Sequence, residues 1–180
     1  MNVSFKPLSS YDFPKLLEWL NAPHVNKWWD KGINWTMEMV KDKYTSYIDS
    51  EDINCYIIET ASEARQSKSI ASSSSIHHNF EDIGLIQIYK VDKFPPAKHK
   101  ALLPENLWGV DMFIGEESLL GKGIGTAALE LFIAKHADFE YLLIDPHKDN
   151  IAAIKAYQKC GFEEIARDDE IEEIWMMRKR

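Results

Sequence analysis

Four groups of residues in this chain have the types and spacing that chemistry needs. The first is LLGKGIGT, Leu119 to Thr126, in which Gly121, Gly123 and Gly125 alternate. With no Cβ atoms in the way, the backbone turns sharply and aims several N–H groups into one concavity. A helix starting at this turn adds the positive end of its dipole, so the natural occupant is a pyrophosphate. Lys122 would add a point charge and Thr126 a hydroxyl. Two nucleotide signatures fail here. A P-loop has its Lys after the second Gly and before Ser or Thr, and a dinucleotide fingerprint needs G-x-G-x-x-G early in a βαβ unit. A plain Gly-rich strand-to-helix turn is the remaining alternative.

The second group is acidic. Asp111 stands in the apolar run LWGVDMFI, an expensive place for a charge unless it has a partner. Alternation also permits an Asp that simply points to solvent. Asp145 directly follows the short run YLLI, at the strand end where ligands of such sheets gather, and suits a substrate ammonium. Its alternative is a turn Asp before Pro146. Third, Trp28, Trp29 and Trp35 fall within eight positions, more aromatic surface than one short segment needs for packing. Trp28 and Trp29 suit a wall for sugar rings, and a hydrophobic cap over the core explains them nearly as well. Asp30, Glu116 and Glu117 either add negative potential or are solvated. The fourth group is His77 and His78, for which exposed loop histidines are the simpler account than a metal or catalytic role.

The elements that must position these groups follow from periodicity. Val3 to Leu8 reads as a strand, with Val3, Phe5 and Pro7 on one side. Ser9 or Ser10 caps a helix from Tyr11 to Leu20, striped by Phe13, Leu16, Leu17 and Leu20. Asn21 to Asn34 is a loop. Thr36 caps a second helix to about Ser50, with Met37, Val40, Tyr44, Tyr47 and Ile48 inward. Asn54 to Thr60 and Ile83 to Val91 form an antiparallel pair joined by a Ser-rich, mobile connection. Asp92 to Glu105, with three prolines, is a loop. Then come a strand (Leu107 to Ile114), a helix (Gly123 to His136), a short strand (Tyr141 to Ile144) and an Asn150-capped helix to Lys159. Gly161 ends that helix, and strands Phe162 to Ala166 and Ile171 to Met177 close the chain. The order βααβββαβαββ predicts an α/β fold of the α+β type, a mixed, mostly antiparallel sheet of about seven strands with helices on both faces.

Length bounds the rest: 180 residues fit one domain, 1–180. A formal charge of −8 argues against nucleic acid, whose binders carry a basic face, and permits a cationic partner. No apolar run approaches the roughly 18 residues that span a bilayer, and no secretory signal is visible. The expectation is a cytoplasmic protein without membrane contact. Cys55 and Cys160 lack metal-ligand spacing and read as small buried hydrophobes, so no metal is expected.

The turn Leu120 to Gly125, followed by DPHKDNIAAIKAYQKCGF (Asp145 to Phe162), resembles the acetyl-CoA site of GNAT acyltransferases. Leu120 stands where the general pattern has Gln or Arg, a position that contributes mainly its backbone. A narrower resemblance, to aminoglycoside 6'-N-acetyltransferases, rests on EWLNAPHVNKWWD (Glu18 to Asp30), IGLIQIY (Ile83 to Tyr89), GVDMFIGEESLLGKGIGT (Gly109 to Thr126) and the Asp145 segment. It covers most of the chain, with Ser62 to Asp82 and Asp92 to Pro104 poorly matched. Siderophore-biosynthetic N-acyltransferases share the layout and the Trp-rich front segment.

The resemblance implies a sheet splayed into a V between the strands at Leu107 to Ile114 and Tyr141 to Ile144. Acetyl-CoA would lie there as co-substrate, its pantetheine on the backbone of Met112, Phe113 and Ile114. Its pyrophosphate would rest on Leu120, Gly121, Lys122, Gly123, Ile124, Gly125 and Thr126, with Asn150 and Tyr157 beyond. The resemblance makes Asp111 the base, or the anion that holds the ammonium, and Tyr157 the acid for the CoA thiolate. Trp28, Trp29, Asp111 and Asp145 would hold the acceptor, a small cationic amine such as an aminoglycoside with a 6'-amine, attacking directly. The alternatives are acylation of a siderophore hydroxylamine or another small amine, and a non-catalytic acyl-CoA-binding module. Monomer and homodimer are both open.

Overall fold

A computed structural model of the chain describes residues 2–61, 80–92, 103–136 and 139–180. The expected His77 and His78, and most of both long connections, lie outside the described residues. Strand β1 (Val3–Pro7) leads into a capping box, where Ser9 donates its N–H and hydroxyl to the Asp12 carboxylate at 2.9 and 2.8 Å. Lys6 reaches the same carboxylate at 3.0 Å, so a buried acid is satisfied from both sides. Helix α1 (Phe13–Asn21) follows, then a single turn α2 (Pro23–Asn26) and α3 (Met37–Ile48), capped by the Thr36 hydroxyl.

Strands β2 (Ile53–Ala61), β3 (Phe80–Lys90) and β4 (Leu107–Ile114) run antiparallel. Helix α4 (Ile124–Lys135), strand β5 (Tyr141–Ile144), helix α5 (Ile151–Lys159) and strands β6 (Glu163–Asp168) and β7 (Glu173–Lys179) complete the order. The seven strands form one sheet, β1-β2-β3-β4-β5-β7-β6, in which only β4 and β5 are parallel. The expected mixed sheet is therefore present, and Gly161 sits past α5 at φ +80°.

Two details differ from the sequence reading. Turn α2 lies within the expected loop Asn21 to Asn34; Pro23 starts it, and four residues are too few to show helical periodicity. Ile48, expected inward, is 42% exposed, because Tyr47 takes the inward direction and neighbouring helical residues cannot share a face.

Successive strand residues face opposite sides, and the core divides accordingly. Cys55, Ile57 and Leu85 pack against Leu16, Trp19, Leu20, Val40 and Tyr44 of α1 and α3. Their neighbours Ile58, Ile86 and Val110 pack against Leu129 and Phe132 of α4 and Tyr157 of α5. Fully burying an aliphatic side chain contributes about 1.5–3 kcal/mol, so each helix layer is held by several such anchors. Cys55 and Cys160 are both buried in these layers.

Gly109 has a specific packing reason. It pairs with Tyr89 across β3 and β4, and the Tyr89 ring lies over it. A Cβ there would sit 2.3 Å from Cζ of that ring. We expect Gly109→Ala to lower stability by about 1–3 kcal/mol through overpacking. The check is the urea midpoint, with an unchanged denaturant slope.

Candidate active site

Strands β4 and β5 pair only at Leu107↔Tyr141, Trp108↔Leu142 and Gly109↔Leu143. Val110 to Ile114 then run on without β5, and a cavity of about 780 Å³ occupies the divergence. Alternation along β4 sends Phe113 to the α1 and α3 face and Met112 and Ile114 to the α4 and α5 face. The cavity therefore joins the two faces of the sheet.

Acidic residues crowd one wall. Gln87 on β3 stands opposite Asp111 on β4, and its Nε2 donates to Asp111 Oδ2 at 2.8 Å. Asp145, just after β5, and Glu173, opening β7, line the same cavity. Burial pushes Asp111 up to about 7, repulsion from Asp145 pushes the same way, and Gln87 and the Lys43 charge draw it back. Glu173 is raised to about 7 by burial and by Asp145 and Asp168. Asp145 is raised by burial, which a hydrogen bond from its own backbone partly offsets.

Tyr157 reaches the cavity from α5, on the opposite face. Burial raises its phenol well above the ordinary value, and the charges of Asp111 and Asp145 add to that. The helix is started by Asn150, whose side-chain oxygen accepts from Ala153 N–H at 3.3 Å. Asn150 also lines the cavity, so cap and lining coincide in one residue.

At the turn before α4, Gly121 and Gly123 have φ of +71° and +78°, a region that L side chains avoid. The first N–H groups of α4 have no acceptor inside the helix, as at any helix start. Leu120, Gly121 and Gly125 line the cavity with Met112, Phe113 and Ile114. Lys122 and Gly123 are exposed at the turn, and neither is part of the lining. The Ile124 side chain is buried in the core, leaving only its backbone for a ligand. Thr126 is half-buried, and its carbonyl accepts from Cys160 Sγ at 3.7 Å.

Trp28 and Trp29 both line the cavity. Trp29 sets its ring edge-on to Phe113 with centroids 4.9 Å apart, and Trp28 tilts against His147 at 5.4 Å. Trp35 is buried in the core instead. The potential expected from Asp30 and Glu116 is largely compensated: Asp30 pairs with Lys43 at 2.8 Å, and Glu116 with Lys15 at 2.8 Å. Glu116 also accepts from Trp19 Nε1 at 3.0 Å, which makes it a structural anchor. Glu117 is exposed.

Several lining residues escaped the sequence reading, among them Lys43, Tyr47, Gln87, Tyr89, His147 and Glu173. Gln87 had a usable signal, since it is the one polar residue in GLIQIY, the same anomaly that marks Asp111. Glu173 is hidden in the acidic run DDEIEE, and only the sheet order brings it beside Asp145.

An open sheet with one diverging parallel pair, and a glycine turn opening the helix after β4, is the architecture of GNAT-fold acetyltransferases. The chain belongs to the GNAT acetyltransferase family: the family model described as acetyltransferase (GNAT) domain matches residues 2–163. It is 26% identical over 167 residues to aminoglycoside N(6')-acetyltransferase type 1 of Klebsiella pneumoniae, and equally to that of Serratia marcescens. That match covers 90% of this chain and 74% of each relative. Among solved structures, AAC(6')-Ib in complex with paromomycin and acetyl-CoA superposes with a TM-score of 0.76 at 25% identity, covering 100% of this chain and 94% of that one. AAC(6')-Ib with coenzyme A gives 0.75 at 25% identity, covering 99% and 95%. No helix among the described residues is long and apolar enough to cross a membrane.

The raised carboxyls tie stability to pH. Asp111 binds its proton more tightly folded than unfolded between the ordinary value of 3.8 and about 7. Stability therefore falls as pH rises through that window and levels off above it. Asp111→Asn removes the burden, so the variant is expected to be more stable than the parent at pH 8. The difference should vanish toward pH 4; urea midpoints measured across that range check it.

Proposed function

We propose that this protein acetylates a primary amine of a small cationic acceptor, the 6'-amine of an aminoglycoside, by direct attack on acetyl-CoA. One observation carries the reading: three carboxyl groups, Asp111, Asp145 and Glu173, share a cavity wall while Tyr157 enters from the other face through the gap between β4 and β5. An acceptor ammonium is the charge that such a wall lacks. The aminoglycosides for which the similar enzymes above are named carry that charge, which supports the same acceptor class.

Bound acetyl-CoA would supply the thioester. The residues that fit it are Met112, Phe113 and Ile114, whose β5-side edge is open, and the N–H groups from Leu120 to Thr126. Asn150 would serve as an amide partner beside its cap. Lys122 would act only as an exposed point charge near the phosphates. Trp28 and Trp29 would wall the acceptor's rings.

Attack needs a neutral amine, and an aliphatic amine is protonated at pH 7. Asp111 takes that proton. Its elevated position near 7 matches the task, and an arriving ammonium restores the ionised form by offering the missing opposite charge. Asp145 and Glu173 hold further ammonium character on the acceptor. Tyr157, kept protonated by burial, gives its proton to the departing thiolate. The proton taken by Asp111 and the one given by Tyr157 balance through solvent.

Thiol release should occur with purified protein, acetyl-CoA and an aminoglycoside carrying a 6'-amine, and not with its 6'-hydroxyl analogue. Turnover on neither sinks the acceptor assignment. Asp111→Asn should lower kcat by about 10²–10⁴-fold while acetyl-CoA binding, followed by calorimetry, persists. Unchanged turnover would remove Asp111 from the role. Tyr157→Phe is expected to lose about 10–10²-fold in kcat with the KM for acetyl-CoA little changed.

A further inference from the structure

The acidic cavity is also lined by two lysines that the proposed mechanism does not use, Lys27 beside the Trp28 ring and Lys43. Lys43 lines it from α3, which packs over β2. Its ammonium is fixed: Asp30 accepts from Nζ at 2.8 Å, and the rings of Trp35, Tyr44 and Tyr47 lie with centroids 5.1, 5.7 and 5.9 Å from it. An ammonium held against aromatic faces is stabilised where it stands and does not swing freely. One donor goes to Asp30, and two of its three N–H donors remain for a ligand or water.

The sheet order gives this charge a direction. Lys43 stands over β2, Gln87 is on β3, Asp111 on β4, Asp145 after β5 and Glu173 on β7. A ligand laid across these strands passes from the Lys43–Asp30 ion pair, with its spare N–H donors, at one end to three carboxyls at the other. At about 4.8 Å per strand, β2 lies roughly 10 Å from β4, and so from the amine that reacts. The Lys43 charge is felt at that distance, since it draws the Asp111 carboxyl down.

We propose that Lys43 is a specificity-determining residue: it selects acceptors that carry the reacting amine at the carboxyl end and a hydroxyl or other uncharged acceptor group, not a second ammonium, at the α3 end. Asp30 compensates most of the Lys43 charge, so the preference rests on hydrogen bonding. A hydroxyl accepts from the remaining Lys43 donors, whereas a second ammonium has no lone pair to accept with and leaves those donors unpaired in a partly desolvated cavity.

This rests on the proposed acetyl transfer to polyhydroxylated amines. The test is a panel of matched acceptors, each pair sharing the same 6'-amine and differing at one other position by an amine or a hydroxyl. Thiol release gives kcat and KM for the parent, Lys43→Glu and Lys43→Arg. The parent should favour the hydroxyl member of at least one pair by about tenfold in kcat/KM, mainly through KM. Lys43→Glu should abolish or invert that preference, and Lys43→Arg should keep it. If Lys43 only ties the Trp28 to Asp30 loop to α3, Lys43→Glu depresses both members equally, which overturns the inference. Equal preference in parent and Lys43→Glu overturns it too and leaves the acetyltransferase reading standing. A parent that turns over no member of any pair sinks the proposed acceptor, and the inference falls with it.

Discussion

Beyond Gly109 the edge of β4 that faces β5 has no strand to pair with. Backbone N–H and C=O groups in a sheet interior demand partners, so such an edge persists only where a ligand or water completes it. The chain enforces the divergence with covalent means. Strand β5 is four residues long and runs into Asp145 and Pro146, and a proline has no N–H to continue a ladder. Past it the chain turns toward β7 instead, where Ile174 N–H donates to the Pro146 carbonyl at 2.9 Å. A molecule with its own amides can occupy the vacated edge as an extra strand would. Tyr157, Asn150 and the glycine turn all owe their access to the cavity to this early end of β5.

The same divergence explains how three acids coexist on one wall. A closed sheet would bury them against one another with no route for a cation. The open V lets an ammonium reach them, and until one arrives the carboxyls relieve their repulsion by holding protons. The wall is thus poorly satisfied in the free protein, and the energy stored there becomes available when a positive ligand enters. Gln87 keeps Asp111 oriented meanwhile, with Cys55 Sγ 3.9 Å from the far end of the Gln87 amide.

Much of this was legible in the primary structure, and for identifiable reasons. The glycine turn, the Asn150 cap and the isolated charge at Asp111 each break a local rule that an apolar strand or helix would otherwise obey, so each stands out alone. The succession of seven strands and their helices along the chain followed from periodicities of two and of 3.6. What escaped depends on neighbours distant in sequence. Glu173 matters because β7 inserts beside β5, ahead of β6. Lys43 was passed over as one charge on a helix face, since its partners Asp30 and Trp35 come from the preceding loop. Asp30 and Glu116 fit neither alternative, field source or solvated loop acid, because lysines invisible to local pattern pair with them. Ile48 reads as inward because helical periodicity alone does not separate adjacent apolar positions at a helix end.

The two faces of the sheet are also two stretches of the chain. Of the cavity lining, Trp28, Trp29, Lys43 and Tyr47 precede β3, whereas the glycine turn, Asn150 and Tyr157, and the acids Asp145 and Glu173, all follow β4. They meet at the gap, through Gln87 and Asp111, and where Trp28 tilts against His147. Inheritance can therefore treat them separately. Drift in the first third of the chain can redirect which amine is accepted while the carrier of the acyl group goes on being held by an unaltered second half.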